Sequence, residues 1–133
     1  MASELRVNTL KDASGNNSIG LSYVAEGTAK VVCTFNGAAS GATIRTSFNV
    51  SSTDDDDTGQ YGVNFTSAMS GTEFTPIASN IGDSTTSERV SGFVSAFAAN
   101  TATSINISAV EADGGTAYKD WTHINTIVHG DLA

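Results

Sequence analysis

Apolar and polar residues alternate along most of the chain beyond residue 30, with the period of two that strands show when only one face is buried. In "KVVCTF" the apolar residues Val31, Cys33 and Phe35 fall on one face. In "QYGVNFTS" every second residue from Tyr61 to Phe65 is again large and apolar. No segment shows a convincing period of 3.6 residues, and the best candidate for a helix is the short stretch "VSAFAANTA".

The pattern predicts seven strands, separated by polar, glycine-rich turns. They are the segments KVVCTF, ATIRTSFNV, QYGVNFTS, TEFTPIAS, RVSGFVSAF, TSINISAV and WTHINTIVH. Many short strands joined by such turns are typical of sandwiches and barrels. We therefore predict an all-β fold, a small antiparallel β-sandwich of jelly-roll type, preceded by a short extended N-terminal segment.

Two of these segments carry further expectations about burial. In "ATIRTSFNV" Ile44, Phe48 and Val50 share one face, so we assign Phe48 to the core together with Phe65. The segments "RVSGFVSAF" and "WTHINTIVH" have apolar residues on both faces. This indicates that they are covered on both sides. A small core and strands of this kind favour an oligomer, because closed symmetry is the usual way to bury such surface.

The first 27 residues contain too few large apolar side chains for a core of their own. They predict two short strands, "ELRVNTLKD" and "NSIGLSYV", and two strands alone are only marginally stable in water. We divide the chain near Gly27 into an attachment and oligomerisation segment, residues 1–27, and a β-sandwich head domain, residues 28–133. The residues expected to contact a neighbouring subunit or a larger assembly are Leu5, Val7, Ile19, Leu21 and Val24.

Composition and charge exclude several classes of partner. The chain has 133 residues, a net charge of −8 and a pI near 4.3, and it contains no run of Lys and Arg. Nucleic acid and anionic membrane surfaces require clustered cations, so neither is an expected partner. No apolar stretch is long enough to span a bilayer, and the polar N-terminus does not resemble a signal peptide. We expect synthesis in a cytoplasm, followed by residence there or export as part of a larger particle.

Four consecutive aspartates, Asp54–Asp57, raise the question of a metal or catalytic site. A calcium loop of the EF-hand type needs acids at alternate positions and a closing glutamate, which this stretch lacks. Paired-carboxylate catalysis needs two acids that face each other across a cleft. We interpret the stretch as a solvated turn closed by Gly59, with an adventitious cation site as the alternative. No metal, cofactor or catalytic residue is predicted.

The remaining candidates have mainly structural interpretations. Cys33 is expected to be a buried thiol. His123 and His129 are six residues apart, so on one strand they point to the same face, about 20 Å from each other. They are interpreted as ordinary hydrogen-bonded or interface histidines, and the alternative is that each forms a ring around the axis of a symmetric trimer. Tyr118 and Trp121 are expected to anchor the last strand or a subunit contact, or to form a surface on which a saccharide stacks.

Residues 29–69 resemble a module of tail-fibre and related virion proteins of marine and cyanobacterial bacteriophages. The resemblance rests on an ordered series of short motifs. They are Ala29-Lys30, Phe35-Asn36-Gly37, Ile44-Arg45, Ser47 to Ser52, Tyr61 to Thr66, and Ala68-Met69. The opening "SELRVNTLKDASGNN" is similar to the short segment that often precedes the module. The chain is shorter than most tail fibres, and it has four aspartates where the family more often mixes Asp, Asn and Gly.

The resemblance implies a non-enzymatic structural protein of a phage virion, a short homotrimeric tail fibre involved in host attachment. It would be made in the host cytoplasm and assembled on the tail or the capsid exterior. Its partners would be other virion proteins and a glycan or protein of the host surface. Two alternatives stay open: a capsid decoration protein or head fibre bound to the shell, and a polysaccharide-degrading fibre enzyme.

Overall fold

The computed structural model describes residues 6–81, 98–111 and 117–133. Within these ranges the chain forms one short helix and a series of antiparallel strands. In chain order they are β1 (Thr9–Lys11), β2 (Ser18–Gly20), α1 (Leu21–Gly27), β3 (Val31–Asn36), β4 (Thr43–Phe48), β5 (Val50–Asp57), β6 (Gln60–Phe65), β7 (Thr75–Ile81), β8 (Ser104–Ser108), β9 (Val110–Glu111), β10 (Ala117–Tyr118) and β11 (His123–His129).

Two larger sheets build the body of the molecule. One has the strand order β4-β3-β11-β7, the other has the order β5-β6-β8, and the pairs β1–β2 and β9–β10 form separate small ribbons. All pairings are antiparallel. The prediction of an all-β, antiparallel, sandwich-like fold is confirmed. Pro76 lies in β7 at one edge of the four-stranded sheet, where a residue without a backbone N–H is tolerated.

The core lies between the inner faces of these two sheets. From the first sheet come Val31, Cys33 and Phe35 on β3 and Ile124 and Val128 on β11; from the second come Tyr61, Val63 and Phe65 on β6 and Ile105 and Ile107 on β8. The rings of Phe35 and Tyr61 meet edge to face, with centroids 5.3 Å apart. The alternation in "KVVCTF" and "QYGVNFTS" therefore predicts the buried faces of β3 and β6 correctly.

The assignment of Phe48 to the core is wrong. Phe48 is 61% exposed, because the pairing of β4 with β3 contains a bulge. Ile44 pairs with Phe35 on the core side, but Thr46 pairs with Thr34, so Arg45 is the extra residue. An extra residue in one strand turns all later side chains to the other face. Phe48 therefore points away from the core.

The predicted strand "ATIRTSFNV" is two strands in different sheets. Asn49 separates β4 from β5 with a positive φ of 56°, a conformation that Asn tolerates better than most residues. Its side chain holds the corner, since Oδ1 accepts from the backbone N–H of Ser67 at 2.7 Å and Nδ2 donates to the Ser67 carbonyl at 3.1 Å. Val50, beyond this corner, packs partly buried against the core.

The aspartates do not form a turn. Asp54–Asp57 belong to β5, where Asp54 pairs with Gly62 and Asp57 with Gln60, and the turn consists of Thr58 and Gly59. Gly59 has a positive φ of 65°, and a Cβ at this position would lie 2.5 Å from the Ala109 carbonyl oxygen. The pairing with β6 includes the acidic residues, because their backbone N–H and C=O groups form the same interstrand hydrogen bonds as those of any other residue.

The N-terminal segment is not simply extended. Its two predicted strands exist as the hairpin β1–β2, but Leu21–Gly27 is a helix where the sequence predicted a continuing strand. Leu21 and Val24 are half-buried on the helix, and three residues is a spacing that places side chains on one helical face. The predicted strand "RVSGFVSAF" at 89–97, the turn after Ile81 and the "ADGG" turn at 112–115 lie outside the described residues.

Candidate functional site

The four-stranded sheet carries a row of apolar side chains on its outer face, the face turned away from the core. In the strand register Phe48 pairs with Val32, Val32 with Ile127, and Ile127 with Ile77. We call these four residues the apolar row. Phe48, Ile77 and Ile127 are 61%, 58% and 40% exposed, and Val32 is half-buried. Among the described residues of one chain nothing covers this face of the last strand, so the expectation that the strand is covered on both faces concerns an assembly and stays a prediction.

A row of hydroxyl and amide side chains runs beside the apolar row. It consists of Thr46, Thr34, Asn125 and Ser79, at consecutive positions across the same four strands. Thr34 Oγ1 donates to Asn125 Oδ1 at 3.0 Å, and Asn125 Nδ2 donates to Ser79 Oγ at 3.5 Å. The outer face thus combines apolar surface with uncharged hydrogen-bonding groups, many of which already bond to one another.

His123 and His129 both lie on this outer face, at the two ends of β11. Both are partly buried, and His123 Nδ1 lies 3.3 Å from Thr122 Oγ1. The expectation that the two histidines share one face is confirmed. Their strand positions also show that one chain cannot bring both to the same ion, because five residues of β11 separate them.

The hairpin β1–β2 and helix α1 form a second exposed apolar surface. Leu10, Ile19 and Tyr23 are 41%, 44% and 74% exposed. Leu10 and Ile19 pair across the hairpin and line a shallow depression of about 260 Å³. The main packing contacts of β2 are with β1 and α1 rather than with the sandwich. This part of the chain therefore presents apolar side chains without adding them to the core.

An aspartate closes the hairpin. Asp12 Oδ2 accepts from Asn17 Nδ2 at 2.6 Å, and Asp12 Oδ1 accepts from Ser14 Oγ and from the backbone N–H of Asn16 at 3.1 and 3.0 Å. The hydrogen bond from Asn17 is the main reason why the pKa of Asp12 is lowered below the ordinary value of an aspartate. The hairpin therefore has a turn with its own network of bonds.

The structure brings most of the predicted attachment residues into this region, with unequal exposure. Leu5 lies outside the described residues. Ile19 is exposed, whereas Val7, Leu21 and Val24 are half-buried. Sequence patterns missed Leu10 and Tyr23, which are exposed as well. The position of Leu10 in the predicted strand "ELRVNTLKD" could have identified it as a further apolar residue of this segment.

Tyr118 and Trp121 do not form a joint recognition surface. Tyr118 is 50% exposed, but Trp121 is 1% exposed, so the prediction of a saccharide-stacking role is wrong for Trp121. The Trp121 carbonyl accepts from the backbone N–H groups of Gly37 and Ala38 at 2.9 and 3.1 Å. The Lys119 ammonium lies 4.8 Å from the centroid of the Trp121 ring. Trp121 thus anchors the loop after β3 to the start of the last strand.

A buried tyrosine connects the same region to β6. Tyr61 Oη donates to Asp120 Oδ1 at 2.7 Å and approaches the Gly37 carbonyl at 3.3 Å. Burial raises the pKa of Tyr61, and the hydrogen bond to Asp120 and the charges of Asp120 and Asp55 raise it further. Asp120 Oδ1 also accepts from the Gly59 N–H at 2.7 Å. The network holds the β5–β6 turn against the segment that precedes β11.

The remaining candidates have the environments of structural residues. Burial raises the pKa of the Cys33 thiol to about 11, so the thiol stays protonated at neutral pH. Asp54 Oδ2 accepts from Asn64 Nδ2 at 2.7 Å on the outer face of the three-stranded sheet. In the part of the chain that the structure describes, no group of three or more His, Cys, Asp or Glu side chains is placed to hold a metal ion.

Sequence patterns also missed the apolar row. Its four members come from four different strands, and only the strand register brings them together. "WTHINTIVH" did signal Ile127 as an apolar residue on the second face of its strand. The outward orientation of Phe48 could not be predicted from the alternating pattern, because the bulge at Arg45 interrupts that pattern.

No described helix is long and apolar enough to cross a membrane. No family model, curated protein or solved structure matches this chain.

Proposed function

We propose that this chain is a non-enzymatic structural protein of a bacteriophage virion, a short homotrimeric tail fibre that takes part in host attachment. Residues 1–27 attach the protein to other virion proteins, and residues 28–133 are displayed toward a glycan or protein of the host surface. The resemblance of residues 29–69 to virion modules supports the class of protein. That stretch runs from the residues before β3 to the loop after β6.

The observation that carries the division of labour is the exposed apolar surface of the hairpin and α1. Leu10, Ile19 and Tyr23 are exposed although water is an unfavourable environment for them. A two-stranded ribbon also presents backbone donors and acceptors along its edges, and a partner can add a strand there. The sandwich, by contrast, has a buried core of its own in addition to the apolar row on its outer face.

The test uses the phage that encodes the chain. Gold-labelled antibodies against residues 28–133 should decorate the tails of purified virions in electron micrographs. A phage whose copy of the gene lacks the codons for residues 1–27 should yield virions without label, while the truncated protein remains soluble in the lysate. Label over the shell would instead identify a capsid decoration protein or head fibre. Normal incorporation of the truncated protein would mean that the sandwich carries the attachment surface. It would refute the proposal that residues 1–27 attach the protein and residues 28–133 are displayed.

A further inference from the structure

The two sheets of the sandwich have outer faces of different chemical character. On the three-stranded sheet the outward residues of β5, β6 and β8 are polar or glycine: Ser52, Asp54, Gln60, Gly62, Asn64, Ser104 and Asn106. That is the usual composition of an antiparallel sheet with one face in water. The four-stranded sheet departs from it, because the apolar row crosses its outer face from one edge strand to the other.

The same outer face carries no acidic residue at its described outward positions. These positions hold hydroxyl, amide, imidazole and apolar side chains, and Lys30 precedes β3 at one end. The chain as a whole has 14 Asp and Glu against 6 Lys and Arg. Two copies with a net charge of −8 repel each other, so a surface that lacks acids is a more favourable place for them to meet. Charged residues are also depleted at the centres of protein interfaces.

We propose that this outer face is the surface through which copies of the chain associate, with the apolar rows of three copies meeting around a three-fold axis. The inference rests on the proposed homotrimer and identifies the surface that forms it. A second copy fits the face better than an acidic partner would, since the centre of the face is apolar and uncharged. Among the described residues, Lys30 precedes β3 at one end of the face, and the Arg45 guanidinium donates to the Thr122 carbonyl at the other end.

The width of the sheet fits a three-fold arrangement. Four strands spaced by about 4.8 Å make a sheet about 19 Å wide. Three such sheets arranged as a triangle each lie about 5.5 Å from the axis, from the geometry of an equilateral triangle. Packed sheets are about 10 Å apart, so each contributes side chains to a depth of about 5 Å. The side chains of the apolar row would therefore fill the centre of the triangle.

This arrangement brings different ends of the row together at each corner. Phe48 lies on the edge strand β4 and Ile77 on the edge strand β7, so Phe48 of one copy meets Ile77 of the next. Ile127, on an inner strand, faces the axis. In the trimer the hydroxyl and amide row forms a layer on one side of the apolar layer. His129 forms a third layer on the opposite side of the apolar layer.

The first test replaces single residues and measures mass by size-exclusion chromatography with light scattering. Ile127→Lys places three like charges near the axis and should raise the concentration for half-association on the order of 100-fold. Ile77→Lys, at the edge, should act in the same direction. Ser52→Lys adds the same charge to the exposed outer face of the other sheet and should leave the trimer intact. Circular dichroism establishes that each variant is folded.

The second test keeps the face apolar and does not depend on those variants. In a Phe48→Cys, Ile77→Cys protein, mild oxidation should produce covalent dimers and trimers that a reductant dissociates. Trimers that persist in both Lys variants, and that do not crosslink through the two cysteines, would overturn the assigned face but leave the homotrimer standing. A wild-type chain that stays at 13.6 kDa up to about 100 μM would overturn both the assigned face and the homotrimer. The labelling of virions does not depend on the oligomeric state. It tests separately whether the chain is a virion protein that attaches through residues 1–27.

Discussion

At the scale of single residues, burial and hydrogen bonding separate side chains that look equivalent in the sequence. Phe48 and Phe65 both follow alternating patterns, but Phe65 is 6% exposed and packs against Phe74 with ring centroids 6.1 Å apart. Tyr61 and Tyr118 both lie next to polar residues in the sequence. Only Tyr61 is buried, and its hydroxyl donates a hydrogen bond to a carboxylate. Each pair therefore gives a matched comparison.

Phe65→Ala should lower the free energy of unfolding by about 3–5 kcal/mol, because it removes a buried ring and leaves a cavity. Phe48→Ala should cost about 1 kcal/mol or less, since its ring is mostly in water. Urea denaturation at sub-micromolar protein, where association contributes least, measures both. Equal losses would mean that the bulge at Arg45 does not turn Phe48 outward.

Tyr61→Phe should lower the free energy of unfolding by about 1–3 kcal/mol, the usual range for a buried hydrogen bond to a charged group. The variant keeps the ring that packs against Phe35 and removes only the hydroxyl that donates to Asp120. Tyr118→Phe is the control and should change stability by less than about 0.5 kcal/mol. If both variants behave alike in thermal and urea unfolding, the bond to Asp120 has no net stabilising effect.

At the scale of elements, the acidic strand end is a property of the sheet edge. β5 is an edge strand of the three-stranded sheet as described, and its last four residues are exposed aspartates. Unpaired backbone groups on an edge strand can pair with another chain, and charged side chains oppose this. We therefore expect the aspartates to oppose pairing of this edge with another chain.

Changing residues 55–57 from Asp to Asn should alter the free energy of unfolding by less than about 1 kcal/mol, as surface changes usually do. The variant should aggregate faster on prolonged incubation near its melting temperature, because its edge has lost charge. Turbidity and thioflavin T fluorescence follow the aggregation.

The matched control neutralises three exposed acids elsewhere: Glu26→Gln, Glu73→Gln and Asp131→Asn. It has the same net charge as the edge variant. Equal aggregation of the two would show that total charge, and not the edge, is responsible. Calcium-dependent stabilisation of the wild type alone would instead reveal a cation site at the aspartates.

At the scale of the whole molecule, the chain consists of a sandwich with its own core and an N-terminal hairpin and helix outside that core. Helix α1 ends at Gly27, and three residues separate it from the start of β3 at Val31. Lys30 bridges the two, since its ammonium donates to the carbonyls of Ala25 and Thr28. Such bonds at an exposed junction add little to the stability of the sandwich.

A protein that consists of residues 28–133 should therefore remain folded. Its melting temperature should lie within about 5 °C of that of the full chain, which for a domain of this size corresponds to about 1 kcal/mol. Differential scanning calorimetry compares the two. Loss of the cooperative transition would show that the hairpin and helix complete the core, and the boundary near Gly27 would then be wrong.

The sequence by itself determined the fold class and most strands. Side chains alternate within a single strand for local steric reasons, so the buried faces of β3 and β6 and the shared face of the two histidines follow from residue order alone. The predicted turn before Gln60 was displaced, because the tendency of aspartate to form turns yields to pairing with β6. The helix at Leu21–Gly27 escaped prediction because seven residues are too few to establish a period.

Only the tertiary structure decided which residues lie together on a surface. The apolar row joins four strands whose sequence positions range from 32 to 127, and its alignment depends on register and on one bulge. Trp121 is buried, and its carbonyl accepts hydrogen bonds from a loop in another part of the chain. Periodicity describes each strand alone, whereas register, bulges and covering loops are set by long-range contacts that residue order does not encode locally.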